Sequence, residues 1–411
     1  MKRLMRKILL PIVAVAIAGL ATNGPEAISK TARGAPGGEA PRIDQDAKPD
    51  PKKWDVAEAT GPTTPLTFDT NEGTWMNLDV SPDGTQIVFD LLGDIYLMPI
   101  AGTATPARRL TSGPVFDMQP RFSPDGKRIA ITSDRDGLWN IWSIDLQGGD
   151  ARQISRERRW FVNSPTWSPD GAYIYARRHF VKERSLGAGE IWMYHSGGPS
   201  DGLQVTERAS WQKDAGEPDV SPDGTTLFYS KDVTPGQTFE YNKDPNGTIY
   251  AIIRRDLTTG RERRAVSIQG GSVTPQISPD GKSLAYLRRV RLQSFLYVRD
   301  LESGRDRQLF GNVDKDLQEA WAIHGLYPQY SWTPDGKSIV IWGETKSGAL
   351  TLRRERASRS PSRCMSSKHS TPACVCRAPC TRPSSRSGCF ATFAFLPTGR
   401  SSSTAPSATC T

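Results

Sequence analysis

Histidine is the first residue type to consider for chemistry, because its side chain serves as a general base and as a metal ligand near neutral pH. The chain contains four histidines, His179, His195, His324 and His369. None belongs to a His-x-His pair, and the zinc motif His-Glu-x-x-His is absent. The motif Gly-x-Ser-x-Gly, which exposes a serine nucleophile on a sharp turn, is also absent. We therefore assign no catalytic residue and no metal ligand from the sequence.

Other reactive or ligating groups occur where a structural role is favoured. Gly187 and Gly189 form a lone Gly-x-Gly before a predicted strand, whereas a phosphate-binding loop precedes a helix. Most tryptophans stand at strand positions and are expected in the core, while Trp160 and Trp321 stand in loops and are candidates for an exposed surface. Carboxylates in turns usually accept hydrogen bonds from nearby backbone, and calcium is the less favoured alternative for Asp134, Asp136, Asp201 and Asp244.

The six cysteines all lie near the C-terminal end, at Cys364, Cys374, Cys376, Cys380, Cys389 and Cys410. Three of them stand close to His369, but their spacing lacks the paired Cys-x-x-Cys of structural zinc sites. We expect no cofactor in this chain.

The elements that would position functional side chains form a repeat built around one turn. Ser-Pro-Asp-Gly begins at Ser81, Ser123, Ser168, Ser221 and Ser278, and Thr-Pro-Asp-Gly begins at Thr333, with spacings of 42 to 57 residues. Proline fixes φ near −65°, aspartate bonds to the following backbone, and glycine accepts a positive φ. The residues expected to form these turns are Asp83, Gly84, Asp125, Gly126, Asp170, Gly171, Asp223, Gly224, Asp280, Gly281, Asp335 and Gly336.

Alternating apolar and polar residues follow every copy and predict antiparallel strands. In the first repeat, Gln86–Phe89 follows the turn, Asp94–Leu97 is a third strand and Arg109–Thr111 is a fourth. Four strands in a repeat of this length are typical of a β-propeller blade. We predict an all-β propeller of about six four-stranded blades over residues 67–344, with the last blade incomplete. A pair of β-sandwiches is the alternative.

Three long insertions interrupt the repeat, at residues 181–189, 233–247 and 313–327. Insertions in repeat folds gather on one face and often bind ligands or partners. We expect a channel-mouth or interdomain surface formed by Arg184, Glu190, Tyr241, Lys243, Asp244, Asn246, Glu319, Trp321 and His324. The alternative is that these residues only order their own loops.

The repeated turn after an aromatic or apolar residue resembles the blades of TolB-like, WD-like propellers, over about residues 67–343. Longer segments, residues 73–76, 89–96, 184–190 and 241–247, resemble the N-terminal propeller region of large exported bacterial amidohydrolases. That resemblance implies a metal-dependent amidohydrolase barrel after the propeller, with a divalent metal such as zinc in the barrel. The missing His-x-His pair, with which that metal site would begin, means that the barrel is not in this chain.

The N-terminal residues have the three-part pattern of a secretory signal. Residues 1–7 are basic, Ile8–Ala18 is apolar, and small residues lead to a plausible cleavage point after Ala21. The apolar run is too short to span a membrane, and no cysteine nearby could carry a lipid anchor. We predict a signal peptide over residues 1–21, a flexible linker over 22–66 rich in glycine and proline, and a periplasmic or secreted protein without stable membrane insertion.

The net charge of +9 points first to a nucleic-acid partner, but it is unevenly distributed. Residues 345–411 contain eleven lysines and arginines against the single acid Glu355, and residues 1–7 add four more basic side chains. The remaining residues, 8–344, carry about −5. We therefore expect no nucleic-acid partner.

Residues 345–411 are rich in serine, arginine, threonine and proline and are predicted to be disordered. A sharper hypothesis is an out-of-frame translation. In the neighbouring frame, permitted codons for residues 346–356 spell a third strand and turn, and Leu396–Gly399 can become another Ser-Pro-Asp-Gly. On this hypothesis blade six lacks its outer strands, and we expect an open ring with unpaired edges that aggregates.

Three functions are compatible with these patterns. The first is a non-catalytic propeller that docks on, or gates substrates for, the missing hydrolase domain of an exported amidohydrolase-family protein. The second is a freestanding periplasmic scaffold that binds proteins or peptides. The third is the gate propeller of a serine peptidase. The DNA downstream of residue 345 distinguishes them.

Overall fold

Each of the six Pro-Asp-Gly turns joins the first two strands of one blade through the same hydrogen bonds. In the first turn, Ser81 Oγ donates to Asp83 Oδ1 at 2.5 Å and accepts the Gln86 amide at 2.9 Å. The other five turns repeat this pattern, with Thr333 in place of serine in the last. All six glycines have φ between 65° and 72°, which glycine adopts without steric cost. All twelve predicted turn residues thus lie in these turns.

The computed structural model describes residues 55–59, 61–63, 67–70, 73, 75–101, 107–180, 187–239, 244, 246–291, 293–313, 327–342, 376–379 and 394–397. These residues form strands, turns and bends, and no helix occurs among them. The predicted all-β class is confirmed.

Twenty-five strands are present in the described part of the chain, and five blades have four antiparallel strands each in chain order. The first strand is β1 (Thr67–Thr70). Blade one contains β2 (Leu78–Val80), β3 (Gln86–Leu91), β4 (Asp94–Pro99) and β5 (Arg108–Arg109). Blade two contains β6 (Asp117–Phe122), β7 (Arg128–Ser133), β8 (Asn140–Asp145) and β9 (Arg152–Gln153). Blade three contains β10 (Phe161–Trp167), β11 (Tyr173–Phe180), β12 (Ala188–His195) and β13 (Leu203–Gln204).

Blade four contains β14 (Ala215–Val220), β15 (Thr226–Asp232), β16 (Tyr250–Asp256) and β17 (Glu262–Val266). Blade five contains β18 (Val273–Ile277), β19 (Ser283–Val290), β20 (Gln293–Asp300) and β21 (Asp306–Val313). Blade six has three strands, β22 (Ser331–Trp332), β23 (Ser338–Ile341) and β25 (Ala394–Pro397), and β24 (Cys376–Pro379) pairs with β1 outside the blades.

The hydrophobic core is divided into six clusters, and each cluster fills the space between two neighbouring blades. The cluster between blades five and six also includes Ile249 and Tyr250 of blade four. Strand β3 shows how the sequence achieves this. Ile87 and Phe89 pack in the cluster shared with blade six, whereas Val88 packs in the cluster shared with blade two. Because successive side chains of a strand point to opposite faces of the sheet, one alternating apolar run serves two neighbours.

The ring is closed between blades six and one, so the expectation of an open ring is wrong for the described residues. Gln329 N donates to Asn77 Oδ1 at 3.0 Å, and Ser331 Oγ donates to Asp79 Oδ1 at 2.7 Å. Trp342 of the last blade packs among the core residues of blade one. Closure depends on the two inner strands β22 and β23, which the sequence does contain. The outer strands of blade six are therefore not needed for this contact.

At five of the six turns, a proline of the preceding blade lies close to the turn glycine. A Cβ atom placed on Gly126 would lie 3.6 Å from Cδ of Pro82 in the preceding blade, an ordinary van der Waals distance. The corresponding distance from Gly84 to Cδ of Pro334 is 3.5 Å, which joins the first blade to the sixth. The turns thus touch one another at one end of the propeller across the closing interface.

Blade six is incomplete, as predicted, because it has three strands where the others have four. Its third strand, β25, comes from the C-terminal segment and pairs antiparallel with β23. Apart from β24 and β25, residues 343–411 lie outside the described residues, and so do the predicted signal peptide and almost all of the predicted linker. The disorder of the tail, the out-of-frame hypothesis and the N-terminal assignments stay predictions.

A buried carboxylate joins blades one and two. The oxygens of Asp90 accept the Asn77 amide at 2.7 Å, Asn77 Nδ2 at 2.8 Å and the Gln119 amide at 2.7 Å. Among the described residues no cationic side chain lies within ion-pair distance of Asp90. Burial therefore raises the pKa of Asp90 to about 7, although the three N–H groups favour its charged form.

We expect Asp90→Asn to change how stability depends on pH. The pKa of Asp90 is about 7 in the fold and near 4 in an unfolded chain, so the folded state binds the proton more tightly between these values. The contribution of Asp90 to the free energy of unfolding therefore falls as pH rises from about 4 to 7, by at most about 1.4 kcal/mol per pH unit, and is constant above that range.

Urea denaturation of both proteins between pH 5 and 8 measures this effect. The stability of the wild type relative to D90N should fall with rising pH up to about 7. Asp201→Asn, at an exposed aspartate, is the control and should keep the wild-type profile. A difference between wild type and D90N that does not vary with pH would contradict the prediction.

Candidate functional site

A β-bulge precedes the Pro-Asp-Gly turn in the first strand of four blades. In β6, Met118 pairs with Thr132 and Arg121 pairs with Ala130, so one extra residue is inserted. The same shift occurs in β10, β14 and β18. A non-glycine residue adopts a left-handed φ of 53° to 56° in each bulge: Gln119, Ser164, Glu217 and Thr274. A bulge redirects the side chains that follow it, and here pairing resumes at Arg121, Thr166, Asp219 and Gln276.

These four residues line a central cavity of about 230 Å³ to which all six blades contribute. Each blade contributes the residue that stands two positions before the first residue of its turn. All six of these residues are polar: Asp79, Arg121, Thr166, Asp219, Gln276 and Ser331. Apolar walls complete the cavity, and they include Phe122, Trp167, Ile277 and Trp332. We call this space the central cavity.

Asp79 and Arg121 form an ion pair in the central cavity. Arg121 Nη1 lies 3.4 Å from Asp79 Oδ1, which also accepts the Ser331 hydroxyl, and Asp79 Oδ2 accepts the Phe122 amide at 2.8 Å. Arg121 is 8% exposed, and its Nε–H has no hydrogen-bond partner among the described residues. An unpaired buried donor of this kind costs about 1–3 kcal/mol, so Arg121 has an unused capacity to bind an acceptor.

Asp219 is the second carboxylate of the central cavity, and it has no cationic partner within ion-pair distance among the described residues. Its Oδ2 accepts the Ile277 amide at 2.7 Å, and its Oδ1 lies 3.5 Å from the Thr166 hydroxyl. Burial raises the pKa of Asp219 to about 7, the nearby charge of Asp79 adds to this, and Arg121 opposes it. With every group ionised, the cavity carries one uncompensated negative charge.

The central cavity was not predicted from the sequence. The available signal was positional, since a polar residue stands two positions before every turn motif. The residue types differ from blade to blade, so the position does not stand out as a motif. Its polar character would have been enough to separate it from the apolar residues on either side.

A second candidate site lies at the end of the propeller opposite the turns. The rings of Trp160, Phe180 and Trp211 have centroids 5.4 to 6.4 Å apart. The guanidinium of Arg208 lies 4.1 Å from the Phe180 ring centre and 3.9 Å from that of Trp211. Arg159 lies 4.5 Å from the Trp160 ring centre. We call these five residues the blade-three surface.

Buried carboxylates hold the arginines around this surface. Glu190 pairs with Arg208 and also accepts Trp192 Nε1 and Gln204 Nε2, each at 3.1 Å. Glu157 pairs with Arg178 at 2.5 Å. The side chains of Glu190 and Glu157 are 5% and 8% exposed, so each ion pair is largely shielded from water. Such pairs fix the geometry of the arginines more than they add to stability.

Comparison with known proteins decides the family. The TolB beta propeller domain matches residues 69–241. An uncharacterised protein of Agrobacterium fabrum is 31% identical over 242 residues, which are 56% of this chain and 75% of that protein. The chain belongs to the TolB β-propeller family. Its sequence-based resemblance to TolB-like propellers is thereby confirmed, whereas the amidohydrolase relationship stays a hypothesis.

Two further relatives carry different functional names. The uncharacterised peptidase YuxL of Bacillus subtilis is 29% identical over 177 residues, which are 43% of this TolB-like propeller chain but 22% of the peptidase. The Tol-Pal system protein TolB of Bordetella pertussis is 45% identical over 60 residues, which are 15% of this chain and 14% of that protein. The propeller thus matches part of a much longer peptidase as well as part of TolB.

The predicted surface residues of the TolB-like propeller fall into three groups. Glu190 is buried beneath the blade-three surface and holds Arg208 there. Asp244 and Asn246 are exposed and bonded to each other, because the Asn246 amide donates to Asp244 Oδ1 at 2.9 Å. The others lie outside the described residues: Arg184, Tyr241, Lys243, Glu319, Trp321 and His324. Trp160, predicted from its loop position to be exposed, is half-buried in the blade-three surface.

Two histidines and a turn aspartate that were considered for chemistry make contacts within the fold. His179 is buried beside Arg177, and His195 is exposed and packs edge-on against Tyr173. Asp136 accepts Asn140 Nδ2 and Gln153 Nε2. Within the described ranges, no three His, Cys, Asp or Glu side chains are placed to share a metal ion. No helix in the described ranges has the length and hydropathy to cross a membrane.

Glu190→Gln should destabilise the TolB-like propeller by about 3 kcal/mol, because it leaves the Arg208 charge in the blade-three surface without its partner. Urea denaturation measures the change, and tryptophan fluorescence should report a rearrangement around Trp211. Glu207→Gln, at an exposed neighbour, is the matched control and should change stability by less than about 0.5 kcal/mol. Equal effects of the two substitutions would show that Glu190 does not support this surface.

Proposed function

We propose that this TolB-like propeller is a non-catalytic binding domain that docks a protein partner through the blade-three surface. The observation that carries the proposal is the cluster of three aromatic rings with Arg208 held against two of them. Tryptophan and arginine are the residues most enriched among those that dominate protein–protein binding. Trp160 and Trp211 are half-buried, so their rings are both fixed and accessible.

Rigidity supports the proposal, because a surface that is already ordered loses little conformational entropy on binding. The Glu190–Arg208 and Glu157–Arg178 pairs fix the polar side chains, and the rings pack on one another. The surface also has a charge preference. Arg156, Arg158 and Arg159 are exposed in the loop before β10, so the partner should present an acidic face.

The partner that best fits the sequence is a hydrolase domain of an exported amidohydrolase-family protein. The basis is the resemblance of residues 73–76, 89–96, 184–190 and 241–247 to the propeller region of that group. In this arrangement the propeller would dock on the barrel and select substrates by size or surface. Metal-dependent chemistry would belong to the barrel, and the N-terminal signal pattern would direct the protein to the periplasm or the exterior.

Two alternatives each have one supporting observation. The match to part of the longer YuxL peptidase favours a gate propeller beside a serine peptidase domain. The match to TolB of Bordetella pertussis favours a freestanding scaffold that binds periplasmic proteins or peptides. Docking through the blade-three surface is common to all three functions.

Sequencing of the coding DNA across residue 345 and beyond separates these functions. We expect the neighbouring frame to encode the rest of blade six and then a barrel that begins with a His-x-His pair. A Gly-x-Ser-x-Gly domain would replace the amidohydrolase assignment by the peptidase, and a stop codon soon after the propeller would favour the scaffold. A frame that cannot spell strand residues in place of 346–356 would end the out-of-frame hypothesis.

Trp160→Ala should weaken docking at least tenfold, because it removes a central ring of the blade-three surface. Calorimetric titration of the propeller with the separately produced downstream domain measures the affinity. Tyr173→Ala is the matched control, since it removes an exposed aromatic ring at the turn end of the same blade and should leave the affinity unchanged. Equal affinities of wild type and W160A would place docking elsewhere.

A further inference from the structure

We propose that the central cavity binds the free amino end of a peptide, with its ammonium group on Asp219 and its first carbonyl oxygen on Arg121. The site is separate from the blade-three surface, which lies at the other end of the propeller. Its ligand class follows from two unmet requirements of the cavity, one on each of these side chains.

The first requirement is positive charge. The charges of Asp79 and Arg121 compensate each other, since Arg121 Nη1 lies 3.4 Å from Asp79 Oδ1. Asp219 is left with one amide at 2.7 Å and one distant hydroxyl as its neutral partners. A carboxylate in that position is stabilised by a cation that enters the cavity. A primary ammonium brings one positive charge and three N–H donors, which matches a cavity with one uncompensated negative charge.

The second requirement is a hydrogen-bond acceptor. Arg121 is nine-tenths buried, lines the cavity and has an Nε–H without a partner among the described residues. A bare metal ion or a simple alkylamine would leave this donor unsatisfied. In a peptide, the first carbonyl carbon is two bonds away from the terminal nitrogen. One ligand therefore supplies both the cation and the acceptor.

Size and wall chemistry agree with this ligand. The volume of about 230 Å³ exceeds the roughly 150 Å³ of an engineered cavity that binds benzene. The walls are fixed, because Trp167 Nε1 donates to the Arg121 carbonyl and Trp332 Nε1 donates to the Gln276 carbonyl, each at 3.1 Å. Phe122 and Ile277 add apolar surface, so the cavity suits an apolar first side chain beside the amine.

A divalent cation fits these groups less well. Calcium takes six to eight oxygen ligands. Both oxygens of Asp79 already accept hydrogen bonds, and the guanidinium of Arg121 repels a doubly charged ion. A singly charged ammonium is therefore the better match for Asp219.

The test uses leucinamide, which has both the amine and the adjacent carbonyl, against the full chain. Chemical-shift titration or calorimetry should detect binding, and N-acetyl-leucinamide, which lacks the charge, should bind at least tenfold more weakly. Isoamylamine, which lacks the carbonyl, should also bind more weakly than leucinamide. No binding of leucinamide, or equal binding of the acetylated compound, would overturn the proposal.

The pH dependence of leucinamide binding is a second test of the proposal. The groups that act on Asp219 are Asp79, Arg121 and the buried phenol of Tyr330, whose hydroxyl donates to the Thr274 carbonyl. Binding needs Asp219 ionised and the amine protonated, and the pKa of a terminal amine is about 8. Affinity should therefore be greatest near pH 7 to 8 and fall on both sides. An affinity that keeps rising below pH 6 would contradict a carboxylate–ammonium contact.

Asp219→Asn should weaken the binding of leucinamide at least tenfold. It should also remove the fall in affinity at low pH. Asp223→Asn, at an exposed carboxylate in the adjoining turn, is the matched control and should bind as the wild type does. If D219N does not fold, NMR titration of the Asp219 carboxyl in the wild type replaces it. Saturating leucinamide should lower the pKa of that carboxyl by at least one unit, and an unchanged pKa would overturn the proposal.

Discussion

Every blade of this propeller is buried on both faces of its sheet, because each face packs against a neighbouring blade. The six core clusters correspond to the six interfaces, and the one between blades six and one joins residues about 250 positions apart in the chain. That long-range contact forms slowly, because ordering the whole chain between its two partners has a large entropic cost. Once it forms, however, no blade face is left exposed to water. The central cavity also exists only in the closed ring, because its lining comes from all six blades.

The bulges create the cavity at a local cost. A non-glycine residue at positive φ costs about 1–3 kcal/mol, and a β-branched residue such as Thr274 is especially unfavourable there. Contacts between blades offset this cost, since the Thr274 amide donates to Glu217 Oε2 at 2.8 Å and the Ser164 amide donates to Gln119 Oε1 at 2.8 Å. The strain is thus maintained by the neighbouring blade.

Much of the fold could be predicted from the sequence because its main determinant is local. The Pro-Asp-Gly turn needs only its own residues, and the alternating strands after it follow from their period of two. Ring closure was predicted wrongly because the outer strands were taken to be necessary, whereas Gln329 and Ser331 of the inner region make the contact. The cavity escaped prediction because bulges at Gln119, Ser164, Glu217 and Thr274 have no shared residue type. Glu190 was predicted to form part of a surface, whereas the structure buries it beneath one, where it pairs with Arg208, and only these tertiary contacts show this.

The closeness of a turn glycine to a proline of the preceding blade, found at five of the six turns, affects how the molecule can vary in length. Such contacts set the spacing of neighbouring blades at one end, as between Gly126 and Pro82 or Gly84 and Pro334. The repeats nevertheless differ by as much as 15 residues in spacing, from 42 to 57. The end that carries the Pro-Asp-Gly turns therefore fixes the diameter of the ring, while the loops between the turns can vary in length. A lineage can alter what this propeller recognises by changing loop length, without any change to the geometry that holds six blades in a circle.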